Sequence, residues 1–426
     1  MTLSPDNINH YDINYTLMDD EIWINTHISE VITDVYSPLT WSIGKILDEW
    51  SGNICGRPYM NISRRINVIK AIMGPLSKGA MKRIFDLYGE LPKGMTLPNH
   101  PMSRSEALKI MVPKALNIGK ESRNAARKLK PFLNGTPEWH RQMHLKLEKA
   151  ETPEALLKIW KEGLKPYVLK AWLSAGAAAI GMPKITALNK KLTKMVGPEH
   201  SSMLMSNLRG DQELEILGPM IGISKVLSGE MSHEQYNLKY GHRGTQEYEL
   251  SLPVDSENPE WIEKQVREYE ALDIDVELML KNQRKKYDEA FVRFIERYPN
   301  KIMWLKKELK SASDAMNLRE KARSEFVRVY RLIRLFALRT GAYHDLGEEV
   351  FFLYIDEVEQ LLSGGEIKRE LIPIRRANYE KYKSFPPFPS VIKGRFDPET
   401  WTNDPDRRRD YYDASMLPLN SRPEIK

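Results

Sequence analysis

The stretch Phe326-Val-Arg-Val-Tyr-Arg-Leu-Ile-Arg-Leu-Phe-Ala-Leu-Arg-Thr340 decides the predicted fold, because its apolar residues recur with the period of an α-helix. One face of this helix carries Phe326, Val329, Ile333, Phe336 and Thr340. The surrounding segment, 258–341, contains no proline besides Pro259 and Pro299 and is dense in Glu, Lys, Arg, Leu and Ala. This composition predicts two or three long helices.

Three arginines flank the apolar face at three-residue spacing, namely Arg328, Arg331 and Arg334. Side chains three or four positions apart on a helix are neighbours, and Glu325 stands at that distance from Arg328. The spacing therefore predicts a solvated charged stripe along the helix.

The rest of the chain is divided by proline and glycine. From Asn61 to Lys383 the apolar residues keep helical spacing. Loops between helices are predicted at Gly74-Pro75, Gly135 to Pro137 and Gly181 to Pro183. Near the N-terminus, one or two short strands are predicted from the apolar and β-branched residues Ile22, Ile24, Ile28, Val31 and Ile32. After Lys383, the run Phe385-Pro-Pro-Phe-Pro389 cannot continue a helix.

These patterns together predict a mostly α protein, with a multi-helix body, long helices in the C-terminal half and a small β or irregular N-terminal segment. We expect residues 1–60 to form a strand and loop segment that packs on the body, and residues 61–383 to form the helical domain. Residues 384–426 are expected to form a proline-rich extended arm or linker.

Composition restricts the compartment. The single cysteine, Cys55, cannot form an internal disulfide, and 19 methionines favour a reducing cytoplasm. No stretch reaches the roughly 18 uncharged apolar residues that a membrane-spanning helix requires, so we expect no membrane association.

Charge is distributed unevenly along the chain. The formal net charge is +6, but the segment from Arg64 to Lys194 holds 26 Lys and Arg against nine Asp and Glu. Such a segment suggests an anionic partner, which is either nucleic acid or a domain that carries phosphate. No zinc-finger, RNP or helix-turn-helix pattern accompanies the basic residues, and this argues against a nucleic-acid partner. A solvated helix surface accounts for these basic residues, and a domain that carries phosphate accounts for them equally well.

The common self-contained active sites are absent from the sequence. It contains no phosphate-binding loop of the Gly-x-x-x-x-Gly-Lys-Ser/Thr type, no Gly-x-Gly-x-x-Gly, no His-Glu-x-x-His and no Gly-x-Ser-x-Gly. His140 and His144 lie one helical turn apart beside Trp139, but two surface histidines do not make a metal site, and none is predicted.

The most informative motif is Tyr240-Gly-His-Arg-Gly-Thr245-Gln-Glu-Tyr-Glu-Leu-Ser251, which is followed by Pro253 and Trp261. Glycines on both sides of His242 and Arg243 allow a tight turn, and a guanidinium offers a planar set of donors to phosphate or carboxylate. Glu247 and Glu249 are placed to orient it or to hold a substrate hydroxyl. A buried Arg-Glu pair that only locks a loop is an equally good interpretation.

This motif resembles the central domain of rifampicin phosphotransferases and related phosphoenolpyruvate-synthase-like proteins. The stretches Ser37 to Ser42 and Gly56 to Asn61 are similar to the opening of that domain, and Gly347 to Leu353 is similar to a loop near its end. The resemblance covers roughly residues 30 to 360.

The resemblance implies a helical substrate-binding domain that works with two other parts, an ATP-grasp domain or subunit and a phosphohistidine domain or subunit. Neither part has its motif in this sequence. The chain is therefore expected to be inactive alone and to bind no cofactor, with ATP and Mg on the partner domain. The function it implies is transfer of phosphate from phosphohistidine to a hydroxyl of a small, bulky or aromatic acceptor.

Site roles follow from the motif match. The candidate catalytic residues are Arg243, which would neutralise the moving phosphoryl group, and His242 or Glu247 as general base. Candidate substrate-binding residues are Gln246, Glu249, Arg323, Arg331, Met203 and Met205. The two methionines would line an apolar acceptor pocket, although their helical spacing favours core packing over ligand contact.

Two other functions stay open. The chain is either a non-catalytic small-molecule-binding protein derived from this domain or, as a third candidate, a basic helical nucleic-acid-binding protein, whose affinity would fall steeply with salt.

Overall fold

The structure is a computed structural model that describes residues 21–25, 35–47, 51–77, 79, 81, 95–98, 102–179, 181–206, 218–244, 246–254, 257–258, 260–271 and 276–416. The residues Ile28, Val31, Ile32 and Thr245 that entered the sequence analysis lie outside these ranges, as do 417–426 of the predicted arm. The described part is mostly α-helical, as predicted.

Helices account for most of the described chain. The α-helices are α1 (Pro38–Leu47), α2 (Ile62–Met73), α3 (Arg104–Glu148), α4 (Pro153–Ile159), α5 (Lys165–Ala179), α6 (Met182–Val196), α7 (Pro198–Ser206), α8 (Gly218–Leu227), α9 (His233–Tyr240), α10 (Trp261–Ala271), α11 (Val276–Arg297), α12 (Ile302–Tyr343), α13 (Ile355–Leu362), α14 (Leu371–Ser384) and α15 (Pro398–Asn403). A π-helical turn, Trp160–Leu164, joins α4 to α5, and short 3-10 helices span Pro299–Lys301, Gly347–Phe352 and Ala414–Met416.

Helix α12 forms the centre of the body, with α3 and α5 packed along it. The apolar face predicted from the sequence is confirmed, since Phe326, Val329, Ile333, Phe336 and Thr340 are all buried. Phe336 stacks on Trp160 with ring centroids 5.1 Å apart. Burial of each such side chain contributes about 2 kcal/mol to folding, so this face is a large part of the stability of the body.

Helix α3 contradicts the predicted loop at Gly135 to Pro137, because it runs through these residues without a break. Pro137 has no N–H to donate to the carbonyl of Leu133, so the helix lacks one hydrogen bond there. The neighbouring Phe132 carbonyl accepts the hydroxyl of Thr136 over 2.8 Å, and Thr136 is fully buried. Phe132 and Leu133 are also buried in the core. Tertiary packing thus outweighs the local cost of glycine and proline. The predicted breaks at Gly74 and Gly181 are confirmed. Helix α2 ends at Met73, and α5 ends at Ala179 before α6 starts at Met182.

One five-stranded sheet contains strands from both ends of the chain. Its strands are β1 (Ile22–Asn25), β2 (Ser51–Ile54), β3 (Arg57–Asn61), β4 (Val391–Lys393) and β5 (Tyr411–Asp413), in the order β2-β3-β1-β4-β5. Strand β1 is antiparallel to both β3 and β4, with Trp23 opposite Asn61 on one side and Ile392 on the other. The sequence predicts 1–60 and 384–426 as separate segments. Backbone hydrogen bonds between them join them in one layer.

A second apolar cluster lies outside the main core. It consists of residues from α6, α7, α11 and the first part of α12, and its buried members include Leu192, Leu204, Phe294 and Leu305. Among the described helices, none has the length and the apolar composition required to cross a membrane.

Candidate functional site

The motif begins where helix α9 ends against α12. The start of α9 is a capping box, in which the Ser232 hydroxyl accepts the Gln235 N–H and the Gln235 side chain accepts the Ser232 N–H. At its C-terminus the Arg328 guanidinium donates to the carbonyls of Leu238 and Lys239 over 2.9 and 3.1 Å. These carbonyls have no partner within the helix and carry its negative dipole, so a cation there stabilises the helix end.

The backbone after α9 turns through hydrogen bonds of its own. The Arg243 N–H donates to the Tyr240 carbonyl over 2.8 Å, and the Glu249 N–H donates to the Gln246 carbonyl over 2.8 Å. Gly241 has φ of −62°, which any residue adopts, whereas Gln246 has φ of +60°. Among the described residues of this turn, the left-handed conformation is therefore adopted by Gln246, whereas the sequence predicts the tight turn at the glycines.

The three arginines of α12 do not form the solvated stripe that their spacing predicted. Arg328, Arg331 and Arg334 are 8, 7 and 5% exposed. Their side chains face the motif because its irregular backbone leaves carbonyl oxygens without partners, and a buried carbonyl requires a donor. The solvated-stripe prediction is wrong for this reason.

Arg331 and Arg334 hold the second half of the motif. Arg331 donates to the carbonyls of Glu249 (2.8 Å) and Leu252 (2.6 Å), and Arg334 donates to that of Leu250 (2.8 Å). Both also bind the carboxylate of Glu257, at 3.0 and 2.8 Å. Burial opposes ionisation of Glu257, but its bonds to the two guanidiniums outweigh burial and lower its pKa. Arg331, a candidate substrate-binding residue, thus already donates to three protein oxygens.

A cluster of three arginines and two glutamates lies between the motif and α12. The Glu247 carboxylate accepts from Arg243 Nε over 2.9 Å and from Arg323 Nη2 over 3.0 Å. Arg323 Nη1 is also 3.6 Å from Glu320 Oε2, and Arg319 donates to Glu320 Oε1 over 2.6 Å. We call these residues, Arg243, Glu247, Arg319, Glu320 and Arg323, the arginine cluster.

The arginine cluster has its negative charges inside and its positive charges towards the surface. The side chains of Glu247 and Glu320 are each 1% exposed, whereas those of Arg243, Arg323 and Arg319 are 13, 17 and 28% exposed. Three guanidiniums and two carboxylates leave a net charge of +1. Arg243 donates to Glu247 through Nε alone. Within the described part of the chain, its two terminal nitrogens have no hydrogen-bond partner. This arrangement can bind an anion.

His242 is buried beside the arginine cluster. Its Nε2 lies 2.9 Å from the Ser324 hydroxyl, while its Nδ1 is buried without a partner among the described residues. Burial and the nearby charges of Arg328 and Arg243 hold the pKa of His242 well below its usual value. The imidazole is therefore neutral at pH 7, which is the form a general base requires.

The other predicted site residues occupy different places. Glu249 is fully buried, and its carboxylate accepts from the Ser37 N–H, the Thr40 hydroxyl and the Ser251 N–H at 2.8 to 3.0 Å. These bonds attach the motif to the start of α1. Gln246 is exposed at the turn.

The two methionines lie apart from the motif. Met203 and Met205 pack against the second apolar cluster, whereas Tyr248 of the motif packs against the main core. An open groove of about 600 Å³, lined by residues that include Leu145, Lys149 and Ile159, lies where α3 meets α4, and none of the predicted site residues lines it.

Sequence reasoning missed three residues of the site: Ser324, which positions His242, and Arg319 and Glu320, which extend the arginine cluster. Their signal was helical spacing, because Arg319 lies four residues before Arg323 and Glu320 lies four residues before Ser324, so each pair shares one face of the helix. Within the residues that the structure describes, no group of three or more metal-ligating side chains is present. No protein-family profile matches the chain, and no curated protein matches it.

Proposed function

We propose that this chain is the acceptor-binding part of an ATP-dependent dikinase-type phosphotransferase. It would receive a phosphoryl group from a phosphohistidine on a separate domain and direct it to a hydroxyl of a small, bulky or aromatic molecule. It would act in the cytoplasm and be inactive alone, with ATP and Mg bound by the partner. The observation that carries this proposal is the convergence of Arg243 and Arg323 on Glu247.

The convergence matters because of what phosphoryl transfer requires. Charge on the moving group must be neutralised by donors that are already in place before the reaction. Glu247 holds the Nε of Arg243 at 2.9 Å, and this bond orients the accessible end of the guanidinium outwards. A guanidinium with two parallel N–H donors matches two oxygens of a phosphoryl group.

The carboxylate of Glu247 serves this orientation better than base catalysis. Each of its oxygens already accepts from a guanidinium, one from Arg243 and one from Arg323. His242 is the remaining candidate for the general base, since its Nδ1 has no partner among the described residues, but its lowered pKa makes it a weak base and a substrate hydroxyl would have to reach a buried atom. Ser324 would then position the ring through Nε2.

The experiment supplies the missing parts from a known enzyme. The chain is mixed with ATP, Mg²⁺, rifampicin and the ATP-grasp and phosphohistidine domains of a rifampicin phosphotransferase, produced without that enzyme's own acceptor domain. Mass spectrometry measures phosphorylated rifampicin. We expect product with the unaltered chain and none above background with Arg243→Ala. As the control, Arg267→Ala, at an exposed position of α10, should leave the yield unchanged.

Two results would contradict the proposal. Equal yields with Arg243→Ala and the unaltered chain would remove Arg243 from the reaction. Rifampicin that binds the chain in equilibrium dialysis but is never phosphorylated would favour the non-catalytic binding protein.

A further inference from the structure

An exposed indole on α5 contacts the α12 residue that follows Arg323 of the arginine cluster by three positions. Trp172 on α5 is 37% exposed, although its ring contacts the fully buried ring of Phe326 with centroids 5.4 Å apart. Phe326 in turn contacts Tyr248 of the motif at 5.7 Å, and Tyr248 directly follows Glu247 of the arginine cluster in the chain. An unbroken series of aromatic contacts therefore leads from the surface to the arginine cluster.

The exposed surface beside Trp172 extends along α12 towards Arg323 and Arg319, because of the direction in which α5 runs. The two helices run antiparallel, because Trp172 packs on Phe326 of α12 and Gly181, just after α5, lies against Ala315. Moving along α5 from Trp172 towards Gly181 therefore follows α12 back from Phe326 towards Arg323 and Arg319. One turn on, at Gly176, an added Cβ would meet no described atom within 4 Å. The face of α5 next to the indole is thus uncovered there.

Distance allows one ligand to reach both features. Phe326 follows Arg323 by three positions, so their side chains are neighbours on α12, and Trp172 contacts Phe326. The indole and the guanidinium of Arg323 are therefore on the order of 10 Å apart. A phosphoryl group on the arginines and a ring on Trp172 fit within one aromatic phosphate ester.

We propose that Trp172 is the substrate-binding residue that selects an aromatic acceptor, by stacking on its ring while the arginine cluster holds the phosphoryl group. This inference rests on the proposed function and names the substrate class of the same site. Trp172 thus makes the apolar contact with the acceptor that the sequence predicts for Met203 and Met205. These two methionines pack against the second apolar cluster instead.

The test measures binding of two probes by isothermal titration calorimetry at pH 7.5 with the full chain. The probes are inorganic phosphate, which lacks a ring, and 1-naphthyl phosphate, which carries one. We expect the naphthyl ester to bind roughly three- to tenfold more tightly than phosphate, as an added aromatic contact allows. Trp172→Ala should abolish this difference and leave phosphate affinity unchanged, and Trp172→Phe should keep most of it.

Matched controls separate this contact from general effects. Trp304→Ala removes a partly buried tryptophan from the second apolar cluster, and Met203→Ala removes the lining predicted from the sequence there. Both should leave the preference for the naphthyl ester intact. Arg243→Ala should weaken both probes at least fivefold, because it removes the phosphate contact and leaves the indole. Thermal unfolding checks that each variant is folded.

The outcomes distinguish the two proposals. If phosphate binds and Arg243→Ala weakens it, but both Trp172 variants keep the full preference for the naphthyl ester, the inference about Trp172 is wrong and the proposed function stands. The inference about Trp172 would also be wrong if the preference for the naphthyl ester were lost with Met203→Ala and kept with Trp172→Ala. If neither probe binds, the proposed anion site fails and the inference fails with it.

Discussion

The carboxylate of Glu249 accepts the backbone N–H of Ser37 over 2.9 Å and so joins the motif to a residue 212 positions earlier in the chain. The same carboxylate accepts the Thr40 hydroxyl, and the Thr40 hydroxyl oxygen accepts the Leu250 N–H over 2.9 Å. Ser37 and Thr40 belong to the start of α1, where N–H groups have no helical partner. The glutamate therefore serves as a cap for another part of the chain.

Glu249→Ala should destabilise the protein without a direct effect on ligand contact. The substitution leaves three buried donors without an acceptor, and we expect a loss of about 3 kcal/mol in the free energy of unfolding. Urea denaturation followed by circular dichroism measures it. Glu263→Ala on the exposed face of α10 is the control and should change stability by less than about 0.5 kcal/mol. An equal effect of both substitutions would contradict the capping role.

Arg331→Ala should be far more destabilising than Arg243→Ala. Arg331 is buried and donates to two carbonyls and to Glu257, so its removal leaves a partly buried carboxylate and two carbonyls short of donors, at about 3–5 kcal/mol. Arg331→Lys should restore less than half of this loss, because an ammonium cannot donate in the same planar pattern.

Arg243 is more exposed and has one partner, so Arg243→Ala should cost about 1–2 kcal/mol. Chemical denaturation of both variants under one set of conditions measures the difference. A larger effect of Arg243→Ala would show that this arginine is mainly structural.

Acidification below pH 6.5 should destabilise the protein through two histidines. Burial, Arg328 and Arg243 lower the pKa of His242 well below its usual value, and burial, Arg328 and His144 lower the pKa of His140 to about 3. A histidine with a lowered folded pKa binds its proton more readily when unfolded. Its contribution to stability is therefore complete above the unfolded pKa of about 6.5 and is lost as the pH falls towards the folded value.

Between pH 6 and 5, each histidine should lower the free energy of unfolding by at most about 1.4 kcal/mol per pH unit. Urea denaturation at pH 7, 6 and 5 measures this slope. His242→Asn should reduce it, and His233→Asn, at an exposed position of α9, should not. A slope that His242→Asn leaves unchanged would show that this imidazole is protonated in the folded state.

Two glycine substitutions should act in opposite directions. Gly135 lies inside α3, where an added Cβ meets no described atom within 4 Å, so Gly135→Ala should stabilise the protein by about 0.5–1 kcal/mol. At Gly341, by contrast, an added Cβ would collide with the backbone carbonyl of Gly347, and Gly341→Ala should cost more than about 2 kcal/mol. Thermal unfolding compares them. Destabilisation by Gly135→Ala would favour the loop that the sequence predicted at this position.

The amino-acid sequence determined the secondary structure of this protein where one pattern dominates a long stretch. The apolar face from Phe326 to Thr340 repeats with helical period, and the structure buries all of it. Turn residues were decisive at Gly74 and Gly181, but at Gly135 the burial of Phe132 and Leu133 outweighed them. A local sequence pattern predicts local structure correctly only where contacts with distant segments do not stabilise another conformation more strongly.

Only the tertiary structure decided what the charged side chains contact. Spacing alone predicts a solvated stripe for Arg328, Arg331 and Arg334, and the motif match predicts a substrate-binding role for Glu249. Their partners, such as the Leu238 carbonyl and the Ser37 N–H, come from other parts of the chain. Strands β1 and β4, which pair in the sheet, are likewise far apart in the sequence. Periodicity reports which way a residue faces on its own helix or strand, whereas hydrogen bonds and ion pairs depend on which other segment packs there. For this reason the sequence alone identified the motif around Arg243, while the arginine cluster and the exposed ring of Trp172 beside it required the folded chain.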